Sequence, residues 1–358
     1  MPGRARPAVA IVADDLTGAC DAAVGFVRAG FSAHVVLAGD PDPALETDVI
    51  AVDAGTRHRD PGEAGRLVGA RVRALRDAPL LIKKLDSTLR GNVAAELTAA
   101  LAASGRRAAI VAPAFPRYGR TTAGGVQRLD GVPVHEGFAG EDPVSPARTS
   151  DLLALLSPAT LLAAGERLDP ERLAGVVVAD ASTDDDLDAL VRAAPEDVLW
   201  AGSTGLTQAF GRVLRGPGAR RGPAREAHRV VVAVGSLNPL ARRQLARLRE
   251  AGDPRVTILA SPDFHADPAG VARELGAAVR AEVDAGADGV VLTGGDTAAA
   301  AIRALDATAF SVLGEVEPGI PLGVLRGGRD LLAVTKAGGF GSDEALTASV
   351  NVLLGSAP

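Results

Sequence analysis

The chain carries a single cysteine, Cys20, in 358 residues. One thiol excludes an internal disulfide and any cysteine-cluster metal site, and Cys20 reads as a small buried helix residue. Lysine is nearly as scarce: of 38 basic residues only Lys83, Lys84 and Lys336 are lysine. Where arginine serves almost everywhere, a retained lysine marks a place for a compact point charge rather than a planar fork. There is no basic block outside residues 215–229, and no apolar run near the ~20 residues of a membrane span. The start MPGRARP lacks a signal-peptide apolar region. With a net charge of −6, these absences exclude nucleic acid and membrane as partners and lead us to expect a cytoplasmic protein. Neither a Walker A pattern nor GxGxxG is present, which excludes a P-loop NTPase and a dinucleotide-binding Rossmann unit.

What is there is apolar material: 47% hydrophobic against 23% charged, enough for a sizeable core. The length suits two domains of ~100–200 residues each. The clearest boundary is RGPGARRGPAREAHR, rich in Gly, Pro and Arg and without periodicity. We therefore expect domains over 1–214 and 229–358 joined by a linker over 215–228. Each reads as α/β, a mainly parallel sheet flanked by helices, with the active site in the cleft between them.

The first half is organised around residues 8–21, AVAIVADDLTGACD. A short apolar run reads as a strand buried on both faces, followed by a turn and a helix over 19–29. Asp14 and Asp15 then sit at the carboxyl end of a buried strand, where open α/β sheets hold their ligands, and Asp21 lies one turn further on. Capping the helix needs only one side chain of this group, so the cluster suits a hydroxyl-rich substrate or a metal ion. Strands are expected at 33–38 and 49–53, the latter ending in the polar run Asp53-Ala54-Gly55-Thr56-Arg57. A helix follows over 61–76 with Pro at its start. The stretch PLLIKKLDSTLR supplies Lys83, Lys84, Asp86, Ser87, Thr88 and Arg90 after a strand at 80–82, an anion-plus-hydroxyl binding set. Strand alternation places Lys84, not Lys83, on the face of Asp86. Further strands or helices are expected at 93–103, 108–112, 152–156, 176–180, 184–194, 198–201 and 203–214. The long Gly/Pro-rich segment between residue 113 and residue 150 reads as a substrate-facing loop.

The second half restarts the pattern with strands at 229–234, 256–260, 289–293 and 331–335 and helices at 240–250, 270–285 and 298–305. Three strand-to-helix junctions are glycine-rich. Gly235-Ser236 precedes the first helix, and Gly294-Gly295-Asp296-Thr297 follows the third strand. Gly338-Gly339, behind Lys336, opens the last helix. Such turns present backbone N–H groups at helix starts and admit close approach of a phosphate chain. Together the halves read as a transferase that takes a hydroxylated acid on one side and an oligophosphate on the other. A sensor that binds both ligands without turnover and a metal-dependent phosphohydrolase are the competing classes.

In order, ADDLTGACD, KKLDSTLRGN, APAFPRYGRTT, VADASTDDDL, GSLNP, TGGDTA and VTKAGGFGSDEAL span nearly the whole chain. Together they resemble the four-carbon acid sugar kinase family. The resemblance implies ATP-dependent phosphorylation of a terminal hydroxyl on threonate, erythronate or a 3-oxo-tetronate. It implies a substrate side including Asp15, Arg57 and the Lys84/Asp86/Ser87/Arg90 set. The implied nucleotide side includes Ser236, the 294–297 turn and Gly338. On this basis the substrate carboxylate is expected on Arg57, Lys84 or Arg90, and the hydroxyls on Asp15 with Asp14 or Asp86. One of these acids, or Asp343, is expected to orient or deprotonate the attacking hydroxyl. Mg²⁺ would bridge the phosphates, its ligands unassigned, and Lys336 would neutralise developing charge. Asp15, Asp86 and Lys336 are thus the expected catalytic residues. The sugar acid and ATP are the expected partners, and whether the chain forms a homo-oligomer stays open.

Overall fold

A computed structural model of the chain describes residues 7–37, 39, 46–142, 144–169, 171, 173–193, 195, 197–218, 226–263 and 267–355. The expected strand end at Ala38, the helix end at Ala194 and residues 219–225 of the expected linker lie outside these. In chain order the first elements are β1 (Val9–Ala13), α1 (Leu16–Arg28), β2 (Ala33–Val36), β3 (Val49–Asp53), α2 (Pro61–Leu75), β4 (Leu80–Lys84), α3 (Val93–Ser104) and β5 (Ala108–Ala112). Then come β6 (Arg120–Ala123), β7 (Val126–Leu129), β8 (Val132–Pro133), α4 (Leu152–Leu155), β9 (Ala159–Leu162), β10 (Gly175–Ala179), α5 (Asp184–Ala193), β11 (Leu199–Gly202) and α6 (Thr204–Val213). The rest is β12 (Val230–Val234), α7 (Pro239–Ala251), β13 (Val256–Ala260), α8 (Pro268–Asp284), β14 (Gly289–Thr293), α9 (Gly295–Ala304), β15 (Ala309–Glu315), β16 (Pro321–Arg326), β17 (Leu331–Lys336) and α10 (Ala345–Leu353).

These elements form two compact units, Met1–Ser32 with Pro41–Ala219, and Ala33–Asp40 with Arg220–Pro358. In the first unit the strands run β3-β1-β4-β11-β5-β10-β9, and every neighbouring pair is parallel. Strands β1 and β5 are apolar and buried at every position, as a parallel sheet covered on both faces requires. The chain steps from β1 to β3 in one direction and from β3 to β4 in the other. Right-handed crossovers then put α1 and α2 on opposite faces. Helix α1 packs with α6, and α2 with α3. The segment expected as a long loop folds instead into a small antiparallel sheet, β6-β7-β8. Its strands are two to four residues long, too short for a periodic pattern to register.

The second unit places β13-β12-β14-β17 in parallel and continues with β16, β15 and β2 in antiparallel pairing. Its core gathers Val232, Val291, Val334 and Leu332 from the strands with Leu245, Leu346 and Val350 from α7 and α10. Strand β2, expected to pair within the first half, pairs with β15 in this unit, Val36 opposite Ala309 and Ala33 opposite Val312.

Candidate active site

In the first unit, β3, β1 and β4 are neighbours, so the loops at their carboxyl ends are neighbours too. The loop after β1 holds Asp14 and Asp15, that after β3 holds Arg57, and that after β4 runs from Leu85 to Arg90. Backbone bonds seat the second loop on the first: Thr56 N–H and Arg57 N–H both donate to the Asp14 carbonyl, at 2.9 and 3.2 Å. Asn92 Nδ2 ties the third to the second by donating to the carbonyls of Thr56 and Arg59 at 3.1 and 2.9 Å.

Arg57 is the hub. Its Nε donates to Asp14 Oδ2 at 2.8 Å and its Nη1 to Asp15 Oδ2 at 2.6 Å, while Nη2 lies 3.6 Å from Asp86 Oδ2. Burial opposes its charge, but the three carboxylates outweigh that and raise its pKa well above the ordinary value. Asp15 also caps α1, accepting from Gly18 N–H on Oδ1 at 2.8 Å and from Thr17 Oγ1 on Oδ2 at 2.9 Å. Asp86 accepts from the Thr88 hydroxyl and backbone N–H and from Arg90 Nη2, the last at 2.8 Å. Burial works against ionising Asp86, yet Arg90 and Arg57 hold it well below the usual carboxylate range. Arg90 Nη1 reaches Asp142 Oδ2 at 3.3 Å. Both arginines are therefore already engaged with carboxylates of the protein itself.

The two lysines that end β4 diverge, as alternation predicts. Lys83 is fully buried and pairs with Glu96 Oε2 at 2.9 Å. Lys84 is 5% exposed and donates to the Leu85 carbonyl at 2.9 Å; among the described residues no carboxylate lies within ion-pair distance of it. Asp14 is 3% exposed, and its Oδ1 has no hydrogen-bond partner there either. Asp21 turns to α6, where the Thr204 hydroxyl donates to it. Ser87 contributes its carbonyl to Gln127 Nε2 at 2.7 Å, while the hydroxyl on Asp86 comes from Thr88.

In the second unit the three glycine-rich turns follow adjacent strands β12, β14 and β17 and meet. Gly294 has φ 98°, which favours glycine, and a Cβ there would stand 3.3 Å from Ser236 N. A Cβ on Gly338 would come within 2.0 Å of Ser236 Oγ, so only glycine lets the last turn lie against the first. Asn238 caps α7 by accepting from Leu240 N–H at 2.9 Å. Gly339 lies beside Asn238, and Thr297 sits behind Gly235 in the first turn of α9. Exposed Asp296 occupies the same turn as Gly295. Lys336 is fully buried; its Nζ donates to the carbonyls of Ala337, Gly338 and Phe340 at 2.9, 3.3 and 3.0 Å. Burial brings its pKa down to about 7 against the pull of Glu317. Glu317 holds the far end of the turn, accepting from Ser342 N–H and Oγ at 2.6 and 2.7 Å. Asp343 is exposed and paired with Arg243 at 3.1 Å.

Residues 9–210 match the family of sugar-binding N-terminal domains, and residues 260–346 the nucleotide-binding C-terminal domains. A D-threonate kinase of Bordetella bronchiseptica is 39% identical over 95% of this chain and 96% of its own. The chain belongs to the four-carbon acid sugar kinase family. A D-erythronate kinase of Heliobacterium modesticaldum is 34% identical over 72% of this chain and 63% of its own. A crystal structure from Bordetella bronchiseptica, a domain-swapped dimer with bound citrate, is 36% identical and covers 98% of this chain and 99% of its own, with a TM-score of 0.54.

For a sugar acid kinase the acid-rich cluster thus falls in the segment matching the sugar-binding domain, and β14, α9 and β17 fall in the segment matching the nucleotide-binding domain. Sequence reasoning passed over four of the kinase's residues: Asn92, Asp142, Glu317 and, above all, Asp53. Asp53 ends β3 beside Ala13, its Oδ1 accepting from Gly55 N–H at 2.8 Å. The only available signal was a polar residue at a strand's carboxyl end, which strand ends share too widely to single one out.

Proposed function

We propose that this chain is an ATP-dependent kinase that phosphorylates the terminal hydroxyl of a four-carbon sugar acid, taking MgATP as its second substrate. The observation that carries the reading is the meeting of the turns at Ser236, Gly294 and Gly338, beside the start of α9, whose cap residue Gly294 has no side chain to satisfy the first N–H groups and so leaves them to a phosphate chain. On the sugar-acid side, the buried ammonium of Lys84 is the group best suited to the substrate carboxylate, because Arg57 and Arg90 are already engaged. Asp14 Oδ1 is a buried acceptor suited to a substrate hydroxyl. Asp15 and Asp86 act through Arg57 and Arg90, keeping the pocket's walls in register. Lys336 supports the nucleotide turn from beneath. Among the described residues no group of three His, Cys, Asp or Glu side chains is disposed to hold a metal ion, and Asp14, Asp15 and Asp86 are turned onto Arg57. This donor set does not fit a resident metal ion.

Phosphoryl transfer needs positioning and charge stabilisation more than covalent chemistry from the protein. The fixed dipoles and point charges above supply both without reorganisation. No described helix is long and apolar enough to cross a membrane; a cytoplasmic site of action goes with a metabolite and ATP as substrates. The domain-swapped dimer of the Bordetella relative favours a homo-oligomer. Incubation with MgATP and each of D- and L-threonate, D- and L-erythronate and their 3-oxo relatives, followed by ADP release, tests the proposal. ADP with one acid establishes the reaction and its substrate. ADP with none, while ATP still binds, rejects it.

A further inference from the structure

Resting on the kinase reading, we propose that Asp53 is the general base that takes the proton from the attacking hydroxyl. The argument is one of engagement. Asp15 holds a helix cap and an arginine, and Asp86 two backbone or hydroxyl donors and two arginines. The oxygens of both carboxylates are thus already committed to donors of the protein. Asp14 keeps an Oδ1 free among the described residues, but Arg57 holds its Oδ2, and against burial Arg57, Lys83 and Lys84 keep its carboxyl below the usual range. Asp53 accepts one hydrogen bond, from Gly55 N–H on Oδ1, and among the described residues no cation stands within ion-pair distance of it. Its second oxygen is therefore uncommitted. Asp53 is half-buried at the carboxyl end of β3, level with Ala13 and on the same rim as Asp14, Asp15 and Arg57.

The groups that face it agree. Burial raises its pKa to about 7; Gly55 N–H pulls down, Asp15 and Asp14 push up, and Arg57 pulls down. A base is best matched when its pKa lies near the working pH, and a carboxyl at its ordinary value is a weak acceptor for an alcohol proton. In the step itself, the substrate O–H bond breaks and its proton passes to Asp53 Oδ2. The freed oxygen pair forms a bond to the γ-phosphorus. The bond from that phosphorus to the β,γ-bridging oxygen breaks, and its electron pair leaves with ADP.

The test is Asp53→Asn, nearly isosteric, measured with the acid that wild type phosphorylates. kcat should fall about 100-fold or more, while KM for the acid and the Kd for ATP stay within about threefold, near-equal free energies. In wild type kcat/KM should rise with pH through an acidic limb near pH 7, because the ionised form is active; that limb should vanish in Asp53→Asn and persist, at a lower plateau, in Asp53→Glu. A kcat within a few fold of wild type in Asp53→Asn, or an unchanged limb, overturns the assignment. So does Asp53→Glu without the limb, which also serves should the Asn variant not fold. Wild type releasing no ADP with any acid would instead reject the kinase reading, and the base with it.

Discussion

Lys83 and Lys84 are neighbours in sequence with different surroundings, and substitution at each has its own expected signature. Lys83 and Glu96 bury a charge pair between β4 and α3. Removing one partner leaves the other charge alone in the core, so Lys83→Met should lower stability by about 3–5 kcal/mol in urea unfolding. Lys84→Met removes a charge that has no carboxylate within ion-pair distance among the described residues. It should leave the fold intact and raise KM for the sugar acid at least about tenfold, the ~1.4 kcal/mol of a modest charge-assisted contact, with the Kd for ATP unchanged. Alternation along the strand made this division legible, whereas Glu96 as partner was not, because it depends on how α3 lies over the sheet. Asp53 was illegible for the same reason: its neighbours Asp14 and Asp15 approach through sheet pairing, not along the chain. Its linkage to stability has a definite sign. The folded state holds the Asp53 proton up to about pH 7 and the unfolded chain releases it near 3.8. Between those values the folded state binds more protons, so stability falls as pH rises. Asp53→Asn should accordingly gain stability relative to wild type from pH 4 to 7, a difference that paired thermal melts measure.

Among the elements, the parallel strands were readable because burial on both faces writes itself as unbroken runs such as Val230–Val234. Strands β15 and β16 were not. They carry polar and glycine positions, Ser311, Gly314 and Gly323, and a register shift between Val312 and Gly314 breaks their alternation. Turns reveal themselves by glycine, yet which glycines touch is a property of the sheet order β12-β14-β17. Gly338→Ala puts a methyl where Ser236 Oγ stands and must displace the Ser236 side chain or the turn that carries it. ATP affinity should drop at least about tenfold by calorimetry, with sugar-acid binding unaffected. Lys336 works on the same turn from below, through three carbonyls of its own loop. Lys336→Met should therefore weaken ATP binding, rather than only slow the chemical step.

At the scale of the whole molecule, two units matching a sugar-binding and a nucleotide-binding family were legible from the restart of the α/β pattern after residue 228. The exception is β2, four residues that belong by sequence to one half and by hydrogen bonding to the other. A fragment beginning at residue 226 would lack that strand and leave the β15 edge unpaired, a template for self-association. It should elute as aggregates on size exclusion, where residues 7–355 do not. The same four residues also set a schedule. On the ribosome Ala33–Val36 is made long before its partner strand, Ala309–Glu315. The second unit's sheet thus cannot close until Ala309–Glu315 has been made, long after the last strand of the first unit's sheet, Leu199–Gly202. During that interval an early strand stands without its mate, and chaperone dependence or slow maturation of this protein would trace to that delay.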